Sequence, residues 1–396
     1  MEPITIVGGG IAGLVAAIEC AERGAPSVRV LEARARLGGR AASLPGPYLA
    51  NLGPHALYTG GSLWDWLTAR GLAQPALRPS VQAVRFRWQG EVRRTPPAAL
   101  LKAFRLLRQD APVDESLHDW VAARCGDETA RAVGGLAGNL TFDHDPGRVS
   151  AAFAWPRIRR ISVSAPPVAR YVVGGWSALV DRVADHARAL GVGIETGAKV
   201  DSLDGLPGRP IVAVEPGAAR RLLGDETLRP TTTETVVLDV AMTTRRGDPY
   251  IVLDLDEAAF FTRVTAVHPG FAPAGEQLVQ AQIGRRPGET LEAAEARIEA
   301  VFDAAYAGWR DRVTWRRRAG LREASGAIEL PGSTWRDRPA VEHRPDVLLA
   351  GDWVAADGHL AEVSCASGRR AAAIVTTLGG REQRFSTAGA ASGSDA

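Results

Sequence analysis

Near the start of the chain, Gly8-Gly9-Gly10-Ile11-Ala12-Gly13 fits the pattern G-x-G-x-x-G. Residues of these types at this spacing suit a backbone that turns sharply and lets a charged group come close. Gly8 permits the turn, Gly10 removes the Cβ that would block a diphosphate, and Gly13 lets a following helix pack tightly on the preceding strand. Ile11 and Ala12 then stand at a helix N-terminus, whose N–H groups and partial positive charge attract phosphates. Glu32 lies about 20 residues further on, where a carboxylate accepts hydrogen bonds from ribose hydroxyls and repels a 2′-phosphate.

That chemistry requires particular elements around it, and the sequence supplies them. Ile4-Thr5-Ile6-Val7 is a short β-branched run that predicts a buried parallel strand. Leu14 to Arg23 has helical spacing, with Leu14, Val15, Ile18 and Ala21 on one side, and Gly24 ends it. Ser27 to Leu31 predicts a second strand that delivers Glu32. Together these features predict a bound dinucleotide.

Glu32-Ala33-Arg34-Ala35-Arg36-Leu37-Gly38-Gly39-Arg40 reads E-x-x-x-R-x-G-G-R. It resembles the flavin-containing amine oxidase and phytoene desaturase superfamily, which includes protoporphyrinogen oxidase. The resemblance implies FAD, with Ala33 and Arg34 beside the ribose and Gly38, Gly39 and Arg40 near the phosphates and flavin. Tyr48 to His55 is similar to the family segment that passes across the isoalloxazine, with Asn51 where many members have Asp. Gly53, Pro54 and His55 are its closer match. Tyr171 to Leu203 resembles a further cofactor-domain segment, in which the backbone of Val200 is expected at the adenine. Gly351-Asp352, at the end of the apolar run Val347 to Ala350, resembles the C-terminal flavin motif. The resemblance has Asp352 bond the ribityl chain and the helix from Glu362 aim its N-terminus at the flavin. Val363 replaces a glycine that relatives commonly carry. Cys365 does not match the position of the linking cysteine of some amine oxidases, so FAD is expected to be noncovalent.

The expected fold class is α/β, a Rossmann-like FAD-binding domain with an interleaved α+β substrate domain. The FAD-binding domain is expected over residues 1–75, 166–215 and 335–380. The substrate domain is expected over 76–165, mainly helical, and over 216–334, sheet plus helix, with a disordered tail over 381–396. Within the substrate domain, alternation predicts a strand pair over Val84 to Thr95, and helices are expected over Ala98 to Gln109, Glu115 to Arg124 with Asp114 as N-cap, and Asp127 to Leu140. Strands are expected near 235–240, 250–255, 261–267 and 277–283, followed by an amphipathic helix over Thr290 to Trp309. Trp64 and Trp66 are expected to join the domains.

Composition narrows the partners. The 396 residues carry a net charge of +2 and 45% hydrophobic residues, so no global field argues for nucleic acid. Cys20, Cys125 and Cys365 are far apart, which suits a reducing, cytoplasmic setting and predicts neither disulfides nor a cysteine metal site. No room for a cleaved leader precedes the first strand, and no spanning helix is expected. From 85 to 108 the charges are Arg85, Arg87, Arg93, Arg94, Lys102, Arg105 and Arg108 against Glu91. Such a segment can touch an anionic membrane surface, although a solvated basic face is the commoner outcome. His144, between Asp143 and Asp145, admits a metal reading, but alternate loop positions without a second ligand cluster seldom make a site.

The expected activity is FAD-dependent dehydrogenation of an apolar small molecule by hydride transfer, of phytoene desaturase or protoporphyrinogen oxidase type, with oxygen or another electron acceptor. No second nucleotide fingerprint appears. Many amine oxidases of the family place a lysine near the flavin, whereas this chain has only Lys102 and Lys199. An amine oxidase and a non-redox flavin-dependent isomerase remain as alternatives. No catalytic acid or base is assigned; His55 is the one candidate, and a histidine in a turn more often serves a structural bond.

Overall fold

The computed structural model describes residues 3–53, 55–79, 83–164 and 167–390. Ile4–Val7 is buried at every position and takes the middle of a parallel sheet, as an apolar β-branched run should. Among the described residues the sheet runs Glu342–Arg344, Val347–Leu349, Ile211–Val212, Ile4–Val7, Val28–Glu32, Gly193–Thr196. The Glu342–Arg344 edge alone among these pairs antiparallel. Helices Ile11–Glu22, Gly175–Ala189 and Ala361–Ala390 bury one continuous apolar core with it.

A second sheet runs Val313–Leu321, Thr235–Thr243, Glu276–Gly284, Phe260–Arg263, Ile251–Asp254, Val84–Trp88, Glu91–Arg93. Strand alternation splits it into two faces. Val236, Leu238, Val240 and Met242 meet Ile298, Val301 and Phe302 of the helix Leu291–Ala305 in an apolar core. Asp239, Gln280, Gln282 and Thr262 fall on the opposite face and are also buried. The helices Leu117–Cys125, Asp127–Thr141 and Ala151–Val163 form a third core around Trp120 and Trp155.

Several expectations change at this level. The helix Pro216–Leu223 packs Ala219 and Leu223 into the core of the parallel sheet rather than opening the substrate domain, because its apolar side meets strand Ile211–Val212 and its surroundings. The apolar alternation of Ala198 to Leu203 predicts a strand, but these residues form none; Gly197, at φ +72°, turns the chain just before them. Ser116, not Asp114, caps the helix Leu117–Cys125, its side chain accepting the Asp119 N–H. The helix from Ala98 ends at Lys102 and tightens to a 3₁₀ turn over Ala103–Leu106. Trp66 is buried in the nucleotide-domain core with Trp64 packed against it, so neither bridges the domains; the Trp66 indole N–H bonds Glu19 at 2.9 Å. The final helix continues to Ala390, through residues expected to be disordered; Arg381 to Arg384 are good helix formers that can propagate an existing helix. Residues 391–396 lie outside the described residues.

Candidate functional site

The glycine turn is built for close approach at three scales. Gly8 has φ +109°, a conformation that favours glycine. A methyl added to Gly13 would collide with the Gly8 carbonyl, so this glycine sets the contact between helix and turn. Gly10 differs, because a Cβ built there finds nothing nearer than the Gly38 oxygen at 4.0 Å. Gly39 faces the same gap, with Gly10 Cα at 3.9 Å. The two turns are tied together by the Gly38 N–H to the Gly9 carbonyl at 2.9 Å. The helix Ile11–Glu22 has no side-chain cap and no acid in its first turn. Its opening N–H groups, at Ile11, Ala12 and Gly13, lack intrahelical partners. An open gap beside uncapped donors fits a diphosphate.

Glu32 ends its strand as expected. One carboxylate oxygen accepts the Gly9 N–H at 2.7 Å and the other the Arg34 N–H at 2.9 Å. A carboxylate has about four acceptor positions, so capacity remains for ribose hydroxyls. Ala33 and Arg34 are exposed beyond it. The chain near Val200 comes to the same place: Ala198 N–H bonds the Glu32 carbonyl and Gly197 N–H the Arg34 carbonyl, both at 2.9 Å.

Arg40 connects the two ends of the sequence. Its guanidinium pairs with Asp352 and donates to the carbonyls of Glu323 at 2.8 Å and Ala324 at 3.2 Å. Burial opposes its charge, but Asp352, with Glu215 and Glu323 nearby, holds the pKa above the ordinary arginine value. The Arg40 side chain is still 40% accessible while Asp352 is only 7% accessible. The guanidinium is thus held in place by Asp352 and two carbonyls while part of its side chain stays accessible. The other Asp352 oxygen accepts the Gly326 N–H at 2.9 Å. These residues fit FAD: Gly10, Gly39 and the helix start for the diphosphate, Glu32 for the ribose, Arg40 and Asp352 for the groups beyond.

The final helix brings Asp352 here. Ser367 accepts the Gly351 N–H at 2.9 Å and donates to the Gly351 carbonyl at 3.0 Å. Gly368 sits against the Ala12 carbonyl, where a Cβ would meet oxygen at 2.6 Å, so the final and first helices cross almost backbone to backbone. The start of this helix departs from expectation. The N–H groups of Glu362 and Val363 donate to the carbonyls of His359 and Leu360, each at 3.0 Å, instead of standing free toward a cofactor. Gly358 at φ +125° and Leu360 at φ +52° wind the preceding loop into the turn that supplies those acceptors. The Glu362 carboxylate is held by Arg160 at 2.9 Å, and the Val363 side chain is buried.

Asn51, Gly53 and His55 lie over the polar face of the second sheet. The Asn51 side-chain oxygen accepts from Ser43 at 2.7 Å and from the Trp176 N–H at 3.0 Å, which ties this loop to the helix Gly175–Ala189. Gln280 spans from the Asn51 carbonyl at 3.0 Å to Asp239 at 2.9 Å, and Arg317 completes the row at 2.9 Å from Asp239. Burial pushes the Asp239 carboxyl up to about 6, with Arg317 opposing. His55 bonds the Arg40 carbonyl at 3.1 Å and meets Trp176 edge-on. Burial lowers its pKa to about 4, so it is neutral at physiological pH. Pro54 lies outside the described residues. Lys102 and Lys199 are exposed, and neither is on this face.

Sequence reasoning missed a cluster from the helix Ala151–Val163. Arg157 and Arg338 line a cavity of about 10 Å³, the size of one water, beside Gly326, Asp352, His359 and Val363. Arg157 donates to the carbonyls of Phe153 and of Gly358, the latter at 2.8 Å, and burial lowers its pKa to about 10. Arg338 pairs with Glu329. No motif marks these arginines: Arg157 bonds one local and one distant carbonyl, and Arg338 pairs with a carboxylate nine residues away. On the far side of the helix Asp127–Thr141 a wider cleft of about 420 Å³ is lined by Trp88, His118, Arg131, His144 and Arg297. His144 stands 3.5 Å from Asp143, and no group of three metal-ligating side chains occurs among the described residues. The Cys365 thiol faces the Ser62 carbonyl at 3.8 Å.

Residues 6–69 match the profile of the NAD(P)-binding Rossmann-like domain family. No curated protein sequence matches the chain. A candidate protoporphyrinogen oxidase from Exiguobacterium sp. 255-15 superposes with a TM-score of 0.73 at 17% identity, over 95% of this chain and 99% of that one. Cyclohexylamine oxidase from Brevibacterium oxydans IH-35A gives 0.70 at 17% identity, over 95% and 99%. Reduced UDP-galactopyranose mutase gives 0.68 at 13% identity, over 96% and 94%. The chain therefore carries a Rossmann-like nucleotide domain within the fold shared by amine oxidases and related oxidoreductases of the protoporphyrinogen oxidase kind.

Proposed function

We propose that the protein is an FAD-dependent oxidoreductase that dehydrogenates an apolar small molecule, in the manner of phytoene desaturases or protoporphyrinogen oxidases, with FAD held noncovalently. The observation that carries this reading is the adjacency of the glycine gap, at Gly10 and Gly39, to Arg40 and its ion pair with Asp352. FAD, when bound, supplies an acceptor for the two electrons of a C–H bond and passes them to oxygen or another acceptor. The chain contributes binding and orientation. Glu32 accepts from ribose hydroxyls, the first turn of the helix Ile11–Glu22 donates to the diphosphate, Arg40 supplies the counter-charge, and Asp352 anchors the chain of hydroxyls beyond. His55, neutral and bonded to the Arg40 carbonyl, keeps the neighbouring segment in place and offers no proton at neutral pH. A site with no lysine and no free acid–base pair suits removal of hydrogen from carbon–carbon bonds better than amine chemistry.

The likeness to cyclohexylamine oxidase supports a second reading, oxidation of an amine with water in place of lysine. The likeness to UDP-galactopyranose mutase supports a third, turnover without net redox change. One experiment separates them. The purified protein is loaded with FAD and mixed anaerobically with polyene precursors, porphyrinogens, primary amines or nucleotide sugars while its visible absorbance is followed. Bleaching by a polyene precursor or porphyrinogen is the expected result. Bleaching by amines alone replaces the first reading with the second, and conversion of a sugar without bleaching replaces it with the third. A protein that cannot take up FAD overturns all three.

A further inference from the structure

We propose that the outer face of the segment Ala98–Leu106 docks on an anionic lipid surface. The structure sorts the basic residues between 85 and 108 into two sets, apart from the half-buried Arg85, which bonds the Val84 carbonyl at 3.0 Å. Arg87 turns inward to the buried Asp254 at 3.2 Å, and Arg93 pairs with Glu91 at 2.9 Å. Arg94, Lys102, Arg105 and Arg108 point outward and are exposed, and none forms an ion pair among the described residues. Between them stand Leu101, 44% exposed, and Phe104, 48% exposed. Leu190, 39% exposed and on another helix, is the one other large apolar side chain so exposed among the described residues. Leu101 and Phe104 are three residues apart on one turn, so they protrude together. Their helix buries Ala99, Ala103 and Leu106 on its inner side and is therefore fixed, not a loose arm.

This combination fits a membrane interface better than an acidic protein. A protein interface generally needs about 800 Å² per partner with shape complementarity, which two side chains on a short convex turn do not provide. A bilayer asks only for apolar tips to enter the headgroup boundary and for cations nearby, and it needs no matched partner geometry. The face is also well placed for delivery of an apolar substrate. The helix Ala151–Val163 lies directly behind it, with the Trp155 indole N–H on the Leu106 carbonyl at 3.2 Å and Arg159 on the Leu107 carbonyl at 3.3 Å. Another side of the same helix reaches the candidate site through Arg157 to the Gly358 carbonyl at 2.8 Å and Arg160 to Glu362 at 2.9 Å. One helix thus stands between the proposed docking face and the candidate site. The docking proposal does not depend on which reaction occurs there.

The test is co-sedimentation of the full chain with vesicles at low salt. Binding is expected to mixed phosphatidylcholine–phosphatidylglycerol vesicles and not to pure phosphatidylcholine, and it should fall as salt shortens the screening length to about 10 Å near 0.1 M. Each basic side chain near an anionic leaflet raises partitioning roughly fivefold, so the double variant R105Q/R108Q should bind about 25-fold more weakly. L101S/F104S should also lose binding; all four positions are exposed, and circular dichroism will confirm that the variants stay folded. No binding to the anionic vesicles, or binding unchanged in both variants, overturns the proposal. Retention on polyglutamate without vesicle binding overturns it in favour of an acidic protein partner.

Discussion

Arg40 and Asp352 lie 312 positions apart in the chain and form an ion pair at the candidate site. Each also bonds backbone from the Glu323–Gly326 loop, so the pair fixes three distant segments at once. A hydrogen bond to a charged group is worth about 1.5–3 kcal/mol, so Arg40→Met and Asp352→Asn should each weaken FAD binding by about tenfold or more, measured by fluorescence titration of the apoprotein. Arg40→Met should also lower the urea midpoint more than Asp352→Asn, because it leaves a buried carboxylate with only the Gly326 N–H. Wild-type FAD affinity in both variants would remove the pair from the site.

Gly10 and Gly13 belong to one motif but have different duties, and alanine distinguishes them. Gly10→Ala puts a methyl into open space, so unfolding free energy should move by less than about 1 kcal/mol while FAD affinity drops at least tenfold. Gly13→Ala drives a methyl into the Gly8 carbonyl and should cost about 2–4 kcal/mol of stability even without cofactor. Chemical denaturation of the two apoproteins beside FAD titration checks both. Unchanged FAD affinity in Gly10→Ala would mean that the gap is not a diphosphate seat.

Glu32 holds the turn, and on the proposed reading it also takes the ribose. Glu32→Gln keeps an acceptor for one of the two N–H groups and should retain measurable FAD binding. Glu32→Arg removes both acceptors and brings a cation, so FAD content after purification should fall to background. Flavin content unchanged in Glu32→Arg would rule out the ribose assignment.

Two histidines give the protein a defined acid limit. Burial lowers the pKa of His55 to about 4 and that of His359 to about 3, the latter with help from Arg157. In the unfolded chain each takes up a proton near pH 6.5. Between those values the unfolded state binds more protons than the native state, so their contribution to stability is complete above pH 6.5 and is lost as pH falls toward 4 and 3. Urea midpoints recorded from pH 8 to 4 should decline over this window, and His55→Asn should make the decline shallower. An identical slope in the variant would show that His55 is not protonated on unfolding.

The nucleotide half of the site is legible in the sequence because its chemistry is local. A strand, a glycine turn, a helix and an acid within the first 32 residues specify one another, and each falls within three residues of its expected place. Gly351-Asp352 is also readable, since an apolar strand ends on it. The start of the final helix is not. The positive φ of Leu360 turns the preceding loop back on Glu362 and Val363, and nothing in the residue types of that loop announces it. Arg157 is invisible for a different reason: a guanidinium that bonds carbonyls leaves no pattern in side-chain spacing. The polar row Arg317–Asp239–Gln280 needs three strands in register, and register over that span is a tertiary fact.

The seat of Gly368 on Ala12 also imposes an order on biosynthesis. A nascent chain can form the first strand, turn and helix soon after they leave the ribosome, yet the apolar flank of that helix stays uncovered until residues beyond 360 arrive. Cofactor capture is therefore a late event, and a chain that stalls before Gly368 presents an open, sticky helix to the chaperones and proteases of the cell.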